Sequence, residues 1–425
     1  MARAIRLAAG LAVVGSASDT RRGMGTRRRV FVRGVGAYTA LGATWPQTAA
    51  ALATGATAVR PITAFDATGF PCTVAAAIDD VLADEDRRLP FARRAAREAW
   101  DRAGVRAAPA RIGVFLGAES GRGRFSTVLG LARAARTAAR TFDHARFGRE
   151  ARGLAERIDA AILSPSGVAS RLAGELGARG PVETVSLACA SGSAAIVEAA
   201  RAIRLDQCDV ALCGGVGADV DPLMIAGFGL LGILSARGVS CPFDVQRDGF
   251  VVGEGAAMLV LAAERGDAGC ELAGIGRSLD AHHLTAPDPE GDGAARAMAA
   301  ALRDADVTAV DYVQAHGTST PLNDRIEVAA IKRALGAGVA RAHVSSSKGA
   351  LGHWVAGAGA LGALYAWEAV TRGIVLPTAG LVTPDPACDV HHVIGRALVK
   401  DVDAALASAF AFGGANSCLV LRRCA

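Results

Sequence analysis

Cys189 is the residue of this sequence best placed for covalent chemistry. It lies in Val185-Ser-Leu-Ala-Cys-Ala-Ser-Gly-Ser-Ala-Ala-Ile196, between a predicted strand over 182–187 and a predicted helix over 193–205. Small residues around it allow a sharp turn. Unpaired N–H groups at a helix N-terminus stabilise a thiolate, the nucleophilic form of cysteine. We therefore expect a reactive thiol at Cys189; the alternative, a small buried hydrophobic residue, is the commoner role of a lone free cysteine.

Three later Gly-rich segments carry polar groups that such a thiol would need. Each follows a presumed strand, and strand ends are where the sites of α/β folds gather. The segments supply His316, the pair Lys348 and His353, and the loop Ala409-Phe-Ala-Phe-Gly-Gly-Ala-Asn416. A thiolate with two imidazoles, in a chain without paired metal-ligand cysteines, indicates acyl-group chemistry.

Lysine is rare in this chain, and this rarity supports a functional role for Lys348. Arginine supplies nearly all of the basic charge, and lysine occurs at only two other positions, 332 and 400. Arginine cannot easily replace a compact ammonium in a tight polar site, so we interpret Lys348 as functional. A single histidine is more often structural than catalytic, and we interpret His282 and His283 as loop residues that shape the site.

In order and spacing, the four segments resemble the elongating β-ketoacyl-[acyl carrier protein] synthases, which are condensing enzymes of the thiolase superfamily. The resemblance runs from about Arg27 to the C-terminus. It implies an α/β thiolase-like fold, in which two similar halves with mixed five-stranded sheets form five α-β-α-β-α layers. The implied halves are 26–265, with the nucleophile and a helical cap and dimer surface near 122–172, and 266–425, with the His and Lys loops.

The resemblance also implies a role for each reactive group. Cys189 takes the acyl chain from an acyl carrier protein, and its N–H and that of Phe412 form the oxyanion hole. Malonyl-carrier protein then loses CO₂, and His316 and His353 stabilise the resulting enolate. The enolate attacks the acyl group held on the cysteine.

Further residues are expected to position the substrates. Lys348, with Glu327, orients the polar network around the histidines, while Thr318 and Thr320 hold the pantetheine arm.

A gate is expected on the loop with Phe410, Phe412 and Gly413, where glycines permit backbone motion. The resemblance implies no metal and no cofactor, because the substrates are carried on the 4′-phosphopantetheine of the carrier protein.

Composition fits a large cytoplasmic enzyme. Nine scattered cysteines without CxxC pairs indicate reduced thiols. The longest apolar stretches are broken by Gly, Asn or charge, so no transmembrane helix is predicted. Residues 1–25 are expected to be a disordered extension, with Met24 as a possible start. Their apolar run is too short and weak for a signal peptide.

The expected partners are an acidic carrier protein and a second subunit, in a homodimer or in a heterodimer with a ketosynthase homologue. A basic rim should steer carrier docking, and its candidate residues are Arg87, Arg88, Arg122 and Arg124. The alternative is that these arginines are solvated helix faces. The net charge of +5 is modest, and no aromatic stacking platform accompanies it, so nucleic-acid binding is not predicted.

Other functions fit the chain less well. Non-condensing chain-length factors share the fold but lack the nucleophile, whereas this chain has Cys189. Initiating synthases and thiolases lack the Lys-Gly-x-x-Gly-His loop found at 348–353. A catalytically reduced or scaffold-like subunit of a ketosynthase heterodimer is kept as the alternative.

The choice between fatty acid synthesis and type II polyketide or polyene synthesis is left open. Glu119 and Ser120 stand where relatives carry small or apolar residues near the acyl pocket, and these polar residues favour a specialised pathway.

Overall fold

The architecture rests on long strands and on helices rich in small residues. A computed structural model describes residues 27–79, 86–122, 125–154 and 163–424; the extension 1–25 and Arg124 lie outside these ranges. In the described residues the strands are β1 Phe31–Thr39, β2 Arg60–Pro61, β3 Val74–Ala75, β4 Ile112–Gly117, β5 Val182–Val185, β6 Val210–Ala218, β7 Glu254–Ala262, β8 Cys270–Leu279, β9 Tyr312–Gln314, β10 His343–Ser345, β11 Ile374–Val375, β12 His391–His392, β13 Leu398–Val399, β14 Ala404–Phe410 and β15 Ala415–Arg423. The α-helices are α1 Trp45–Ala53, α2 Arg88–Ala103, α3 Phe125–Ala134, α4 His144–Leu154, α5 Gly167–Leu176, α6 Ser191–Arg204, α7 Pro222–Leu230, α8 Asp292–Asp304, α9 Asn323–Leu335, α10 Lys348–Leu351 and α11 Ala358–Arg372.

The strand order repeats between the two halves of the chain. The first half is arranged as β5-β4-β6-β7-β1, and the second as β10-β9-β14-β15-β8 with β12 beyond β10. In each half the first two pairings are parallel and the last two antiparallel. This repeat supports, as a proposal, a boundary between the halves near residue 265, after β7 and before β8.

The two five-stranded groups, one in each half as the resemblance implied, also join at their edges into one continuous sheet. Phe31 of β1 pairs with Glu271 of β8, and the N–H of Leu272 donates to the carbonyl of Val30 at 2.9 Å. Arg29 also makes an ion pair with Glu271 at 2.6 Å. Pairing satisfies two strand edges that would otherwise expose backbone N–H and C=O groups.

The layers follow from which helices each half packs against. Helices α6 and α11 lie together between the halves, with α6 on β4 and β6 and α11 on β9 and β14. Helix α2 covers β1 and β7 from outside, and α8 covers β8 and β15. A Cβ added at Gly117 would clash with the backbone of Gly192, so the N-terminus of α6 can approach β4 this closely because residue 117 is glycine.

The cap insertion expected near 122–172 contains helices α3, α4 and α5. Neither α3 nor α4 buries a residue within this single chain. Such uncovered helices suit an interface, and a dimer surface here stays a proposal. Among the described residues, no helix is both long and apolar enough to cross a membrane.

Candidate active site

Cys189 occupies a tight turn between β5 and α6. The turn is a 3₁₀ segment over Ala188–Ala190, and Ala188 has φ of +44°, an uncommon left-handed conformation for a residue with a side chain. The hydroxyl of Ser191 accepts the N–H of Leu187 at 2.8 Å and donates to the carbonyl of Ala188 at 2.6 Å. The predicted helix therefore begins earlier than expected, at Ser191, and its first side chain stabilises the turn.

Burial decides the protonation state of this thiol. Cys189 is only 9% exposed, and burial raises its pKa to about 12, although the Lys348 ammonium opposes that rise. The carboxylates of Asp219 and Glu119 raise the pKa further. Desolvation therefore opposes the resting thiolate expected from the helix N-terminus and favours the thiol form.

Both predicted histidines meet this thiol. The cysteine sulfur and one ring nitrogen from each of His316 and His353 all lie within 4.8 Å of one another. His316 follows β9 and His353 follows α10, so the two halves of the chain contribute to one cluster.

The backbone fixes the tautomer of His353. The N–H of Val355, whose φ is +44°, donates to Nδ1 of His353 at 3.1 Å. Nδ1 is therefore the unprotonated nitrogen, and the ring proton lies on Nε2. Burial, with help from Lys348, holds the pKa of His353 well below its usual range. His353 is thus a neutral ring that offers one N–H donor.

Lys348 orients His316 in a similar way. Its ammonium donates to the backbone carbonyl of His316 and lies 3.4 Å from Nδ1 of the same residue. Burial, the Lys348 charge and the neighbouring His353 hold the pKa of His316 well below its usual range. An ammonium beside Nδ1 favours the tautomer with the proton on Nε2, so His316 also offers an N–H donor.

Glu327 supports this arrangement from behind. Its two carboxylate oxygens accept the N–H groups of His316 and Gly317, each at 2.7 Å. Burial raises the pKa of Glu327 and lowers that of Lys348, and each charge opposes the shift of the other. Glu327 therefore fixes the backbone of His316 and balances the buried ammonium.

The same geometry disfavours a metal ion. A thiol and two imidazoles at these separations could coordinate zinc by distance alone. Coordination through Nε2 of His353 would, however, move its proton to Nδ1, opposite the N–H of Val355. The cluster is therefore better suited to donating hydrogen bonds than to binding a metal.

A cavity of about 610 Å³ contains the cluster and is lined by all six residues predicted to bind or gate the substrates. Thr318 and Thr320 line it, with their hydroxyls 3.0 Å apart. Further lining residues are Glu119, Met224, Phe228, Phe250, Glu327, Phe410, Phe412 and Gly413. Apolar residues dominate this set, so an acyl chain fits the cavity.

The predicted gate lies over the histidines. The ring of Phe410 is 5.6 Å from that of His316, and Gly413 has φ of +83°. The N–H of Gly413 donates to the carbonyl of Leu284 at 2.7 Å. In the described chain, no acceptor takes the N–H of Phe412, which leaves it available for an oxyanion.

Asp280, a residue that sequence reasoning missed, also holds this loop through two hydrogen bonds. Asn416 donates its amide to Asp280 at 2.6 Å, and the N–H of Asp280 donates to the carbonyl of Gly414 at 2.9 Å. The Asp-Ala-His-His segment was visible in the sequence, but its contact with the Gly-Gly loop was not.

The carrier-docking surface expected at Arg87 and Arg88 is wrong. Arg87 is ion-paired with the buried Glu254, and Arg88 is itself buried and ion-paired with Asp86 at 2.6 Å. Arg122 pairs with Asp219 at 2.7 Å, and Arg124 lies outside the described residues. The arginines at 87, 88 and 122 stabilise the fold around the cavity instead of presenting charge to a partner.

Together, a duplicated α/β fold and a buried cysteine facing two neutral histidines define an acyl-transferring condensing enzyme of the thiolase type. The sequence profile described as "Beta-ketoacyl synthase, N-terminal domain" matches residues 27–266, and that of the C-terminal domain matches 269–382. The chain belongs to the β-ketoacyl synthase family, as the sequence predicted.

Individual relatives cover nearly the whole chain. It is 34% identical to 3-oxoacyl-[acyl-carrier-protein] synthase 2 of Coxiella burnetii, covering 93% of this chain and 99% of the relative. It is 36% identical to putative polyketide beta-ketoacyl synthase 1 of Streptomyces cyaneus, covering 93% and 98%. Among solved structures, the ishigamide ketosynthase/chain length factor aligns with a TM-score of 0.81 at 32% identity, covering 94% of this chain and 100% of that one. A beta-ketoacyl synthase from Burkholderia phymatum aligns with a TM-score of 0.79 at 32% identity, with the same coverage. The thiolase-like fold is thereby confirmed.

Proposed function

We propose that the chain catalyses decarboxylative condensation of an acyl group held on Cys189 with malonyl-[acyl carrier protein]. The product is 3-oxoacyl-[acyl carrier protein], in fatty acid or type II polyketide synthesis. The observation that carries this proposal is the meeting of one thiol and two neutral N–H donors within 4.8 Å.

In the first half-reaction, the sulfur of Cys189 attacks the thioester carbon of the acyl carrier protein. A new C–S bond forms and the old one breaks, while the thiol proton goes to the departing pantetheine sulfur. A resting thiol suits this exchange, because its proton is the one that the leaving group needs. The free N–H of Phe412, together with that of Cys189, would bind the oxygen of the tetrahedral intermediate.

In the second half-reaction, the malonyl carboxylate leaves as CO₂ and its bonding electrons form an enolate. Nε2–H of His316 and Nε2–H of His353 would donate to the enolate oxygen. The enolate carbon attacks the acyl carbon, the C–S bond to Cys189 breaks, and the thiolate takes a proton from solvent. Neutral donors suit this step because they stabilise negative charge without giving up their protons.

The partners, the acyl group and the location of the chain are also proposals. A carrier protein and a second ketosynthase-type subunit are supported by relatives described as bound to an acyl carrier protein and to a chain length factor, and by the uncovered helices α3 and α4. Glu119, which accepts a hydrogen bond from Ser186 at 2.8 Å in the cavity, supports a specialised acyl group. A cytoplasmic location is supported by nine free cysteines.

Intact-protein mass spectrometry tests the proposal. Wild-type protein incubated with a panel of acyl-carrier proteins should gain one acyl group, and Cys189→Ala should gain none. Cys424→Ala is the matched control. It removes a thiol that is more exposed than that of Cys189 but should not be the acylated one, so this variant should still gain one acyl group. A wild-type protein that never acquires an acyl group would support the alternative, a catalytically reduced partner subunit.

A further inference from the structure

Two exposed leucines stand at the mouth of the cavity. Leu284 is 80% exposed and Leu322 is 55% exposed. Leu284 precedes Thr285 and Ala286, which line the cavity from one loop, and Leu322 follows Pro321, which lines it from another. Large aliphatic side chains gain free energy when they are removed from water. Their position, on both loops of the mouth, therefore marks a surface that a partner could cover.

Two arginines lie beside residues that line the cavity, and their guanidinium groups have no carboxylate partner. The backbone N–H of Arg237 donates to the lining residue Asp248 at 3.2 Å. Arg325 uses Nε to donate to the carbonyl of Pro321 at 3.2 Å, and Arg237 donates to the carbonyl and side chain of Gln246 at 2.6 and 2.8 Å. Neither makes an ion pair within 4.0 Å in the described ranges, unlike Arg87. Both are exposed, so their charge is available to an acidic partner.

The aspartates that line the cavity are already engaged in hydrogen bonds. Asp248 accepts the hydroxyl of Ser235 at 2.6 Å, and Asp280 accepts the side-chain amide of Asn416 at 2.6 Å. Asp288 lines the mouth, and its carboxylate accepts the N–H groups of Glu290 and Asp292, each at 3.2 Å. An approaching acidic protein would therefore meet two exposed guanidinium groups without an ion-pair partner and three hydrogen-bonded carboxylates, beside an apolar pair.

We propose that Leu284, Leu322, Arg237 and Arg325 form the docking surface for the acyl carrier protein. This inference rests on the proposed function, because the carrier must place its pantetheine arm through this mouth to reach Cys189. The leucines would pack against the carrier beside the attachment point of the arm, and the arginines would attract its acidic side chains.

Kinetics of Cys189 self-acylation test this surface, with an acyl-carrier protein and with a small acyl thioester as parallel donors. Leu284→Asp, Arg325→Glu and Arg237→Glu should each raise KM for the acyl-carrier protein by about fivefold or more, with little change for the small thioester. Rising salt should raise the KM of the wild-type protein for the acyl-carrier protein. It should also reduce the difference in KM between the wild-type protein and Arg325→Glu.

Leu205→Asp is the matched control. Leu205 is 69% exposed. It follows the C-terminal end of α6, whose 14 residues start beside Cys189, so it lies about 21 Å from that start along the helix axis. An unchanged KM in both Leu284→Asp and Arg325→Glu, or an equal rise in Leu205→Asp, would overturn the docking surface. If Leu284→Asp also slows self-acylation by the small thioester, the comparison of the two donors in Arg325→Glu tests the docking surface instead. Failure of the wild-type protein to react with either donor would instead contradict the proposed function.

Discussion

Replacing His353 with alanine separates the two half-reactions. The ring supplies one neutral N–H donor, whose tautomer is fixed by the N–H of Val355 at 3.1 Å. Removing a preorganised donor of this kind typically costs about 3–4 kcal/mol, or about 10² to 10³ in rate. We expect that loss in malonyl decarboxylation. Self-acylation of Cys189 should largely remain, because the oxyanion donors proposed for that step are the backbone N–H groups of Cys189 and Phe412.

The assay follows release of labelled CO₂ from malonyl-carrier protein, and acyl-enzyme formation is followed by mass spectrometry. His391→Ala, which removes an exposed ring on β12, is the control and should leave both steps unchanged. An equal loss of acylation and decarboxylation in His353→Ala would refute the assignment, because it would make the histidine a base for Cys189.

Three further perturbations test the same site. Cys189→Gln should abolish condensation but retain CO₂ release, since the glutamine side chain imitates an acylated cysteine; loss of CO₂ release as well would contradict this. Glu327→Gln places an amide where two buried N–H groups need acceptors, so the free energy of unfolding in urea should fall by about 1–3 kcal/mol; an unchanged value would show that the carboxylate is dispensable. Acid should also destabilise the fold through both histidines. Their folded pKa values lie well below 6.5, so below about pH 6.5 the unfolded chain binds more protons and stability falls as pH falls. Between about pH 7.5 and about pH 5.5 each histidine should contribute a loss of about 1.4 kcal/mol. His353→Ala should therefore lose correspondingly less stability over this range than the wild-type protein, measured by urea unfolding at both pH values.

The position of the proposed nucleophile could be predicted because its signal in the sequence is local. The change from strand to helix around Cys189, and the small residues within the turn, are visible in a dozen consecutive letters of sequence. The Gly-rich segments around His316 and His353 are also local, and their order along the chain was enough to identify the family. The cavity then brings these segments together much as that resemblance implied.

The role of the arginines could not be predicted, because it depends on partners distant in sequence. Arg87 and Glu254 are separated by 167 positions, and nothing near Arg87 in the sequence indicates that its charge is neutralised. Adjacent arginines at a helix start therefore resemble a docking patch, although Arg88 is buried and Arg87 is largely buried and ion-paired. By contrast, Leu284 and Arg325 are inconspicuous in the sequence, and only the fold places them at the mouth.

The protonation state of the site also lay beyond the sequence, and burial is its main cause. Burial raises the pKa of Cys189 and, together with the Lys348 charge, lowers the pKa values of His316 and His353, which favours a thiol facing two neutral rings. A thiolate facing a protonated histidine would form an ion pair, and an imidazolium could protonate an enolate before the new carbon–carbon bond forms. Neutral donors avoid this premature protonation of the enolate. The buried charges of Lys348 and Glu327 are kept behind His316, where they orient the ring without giving a proton to the reacting carbon.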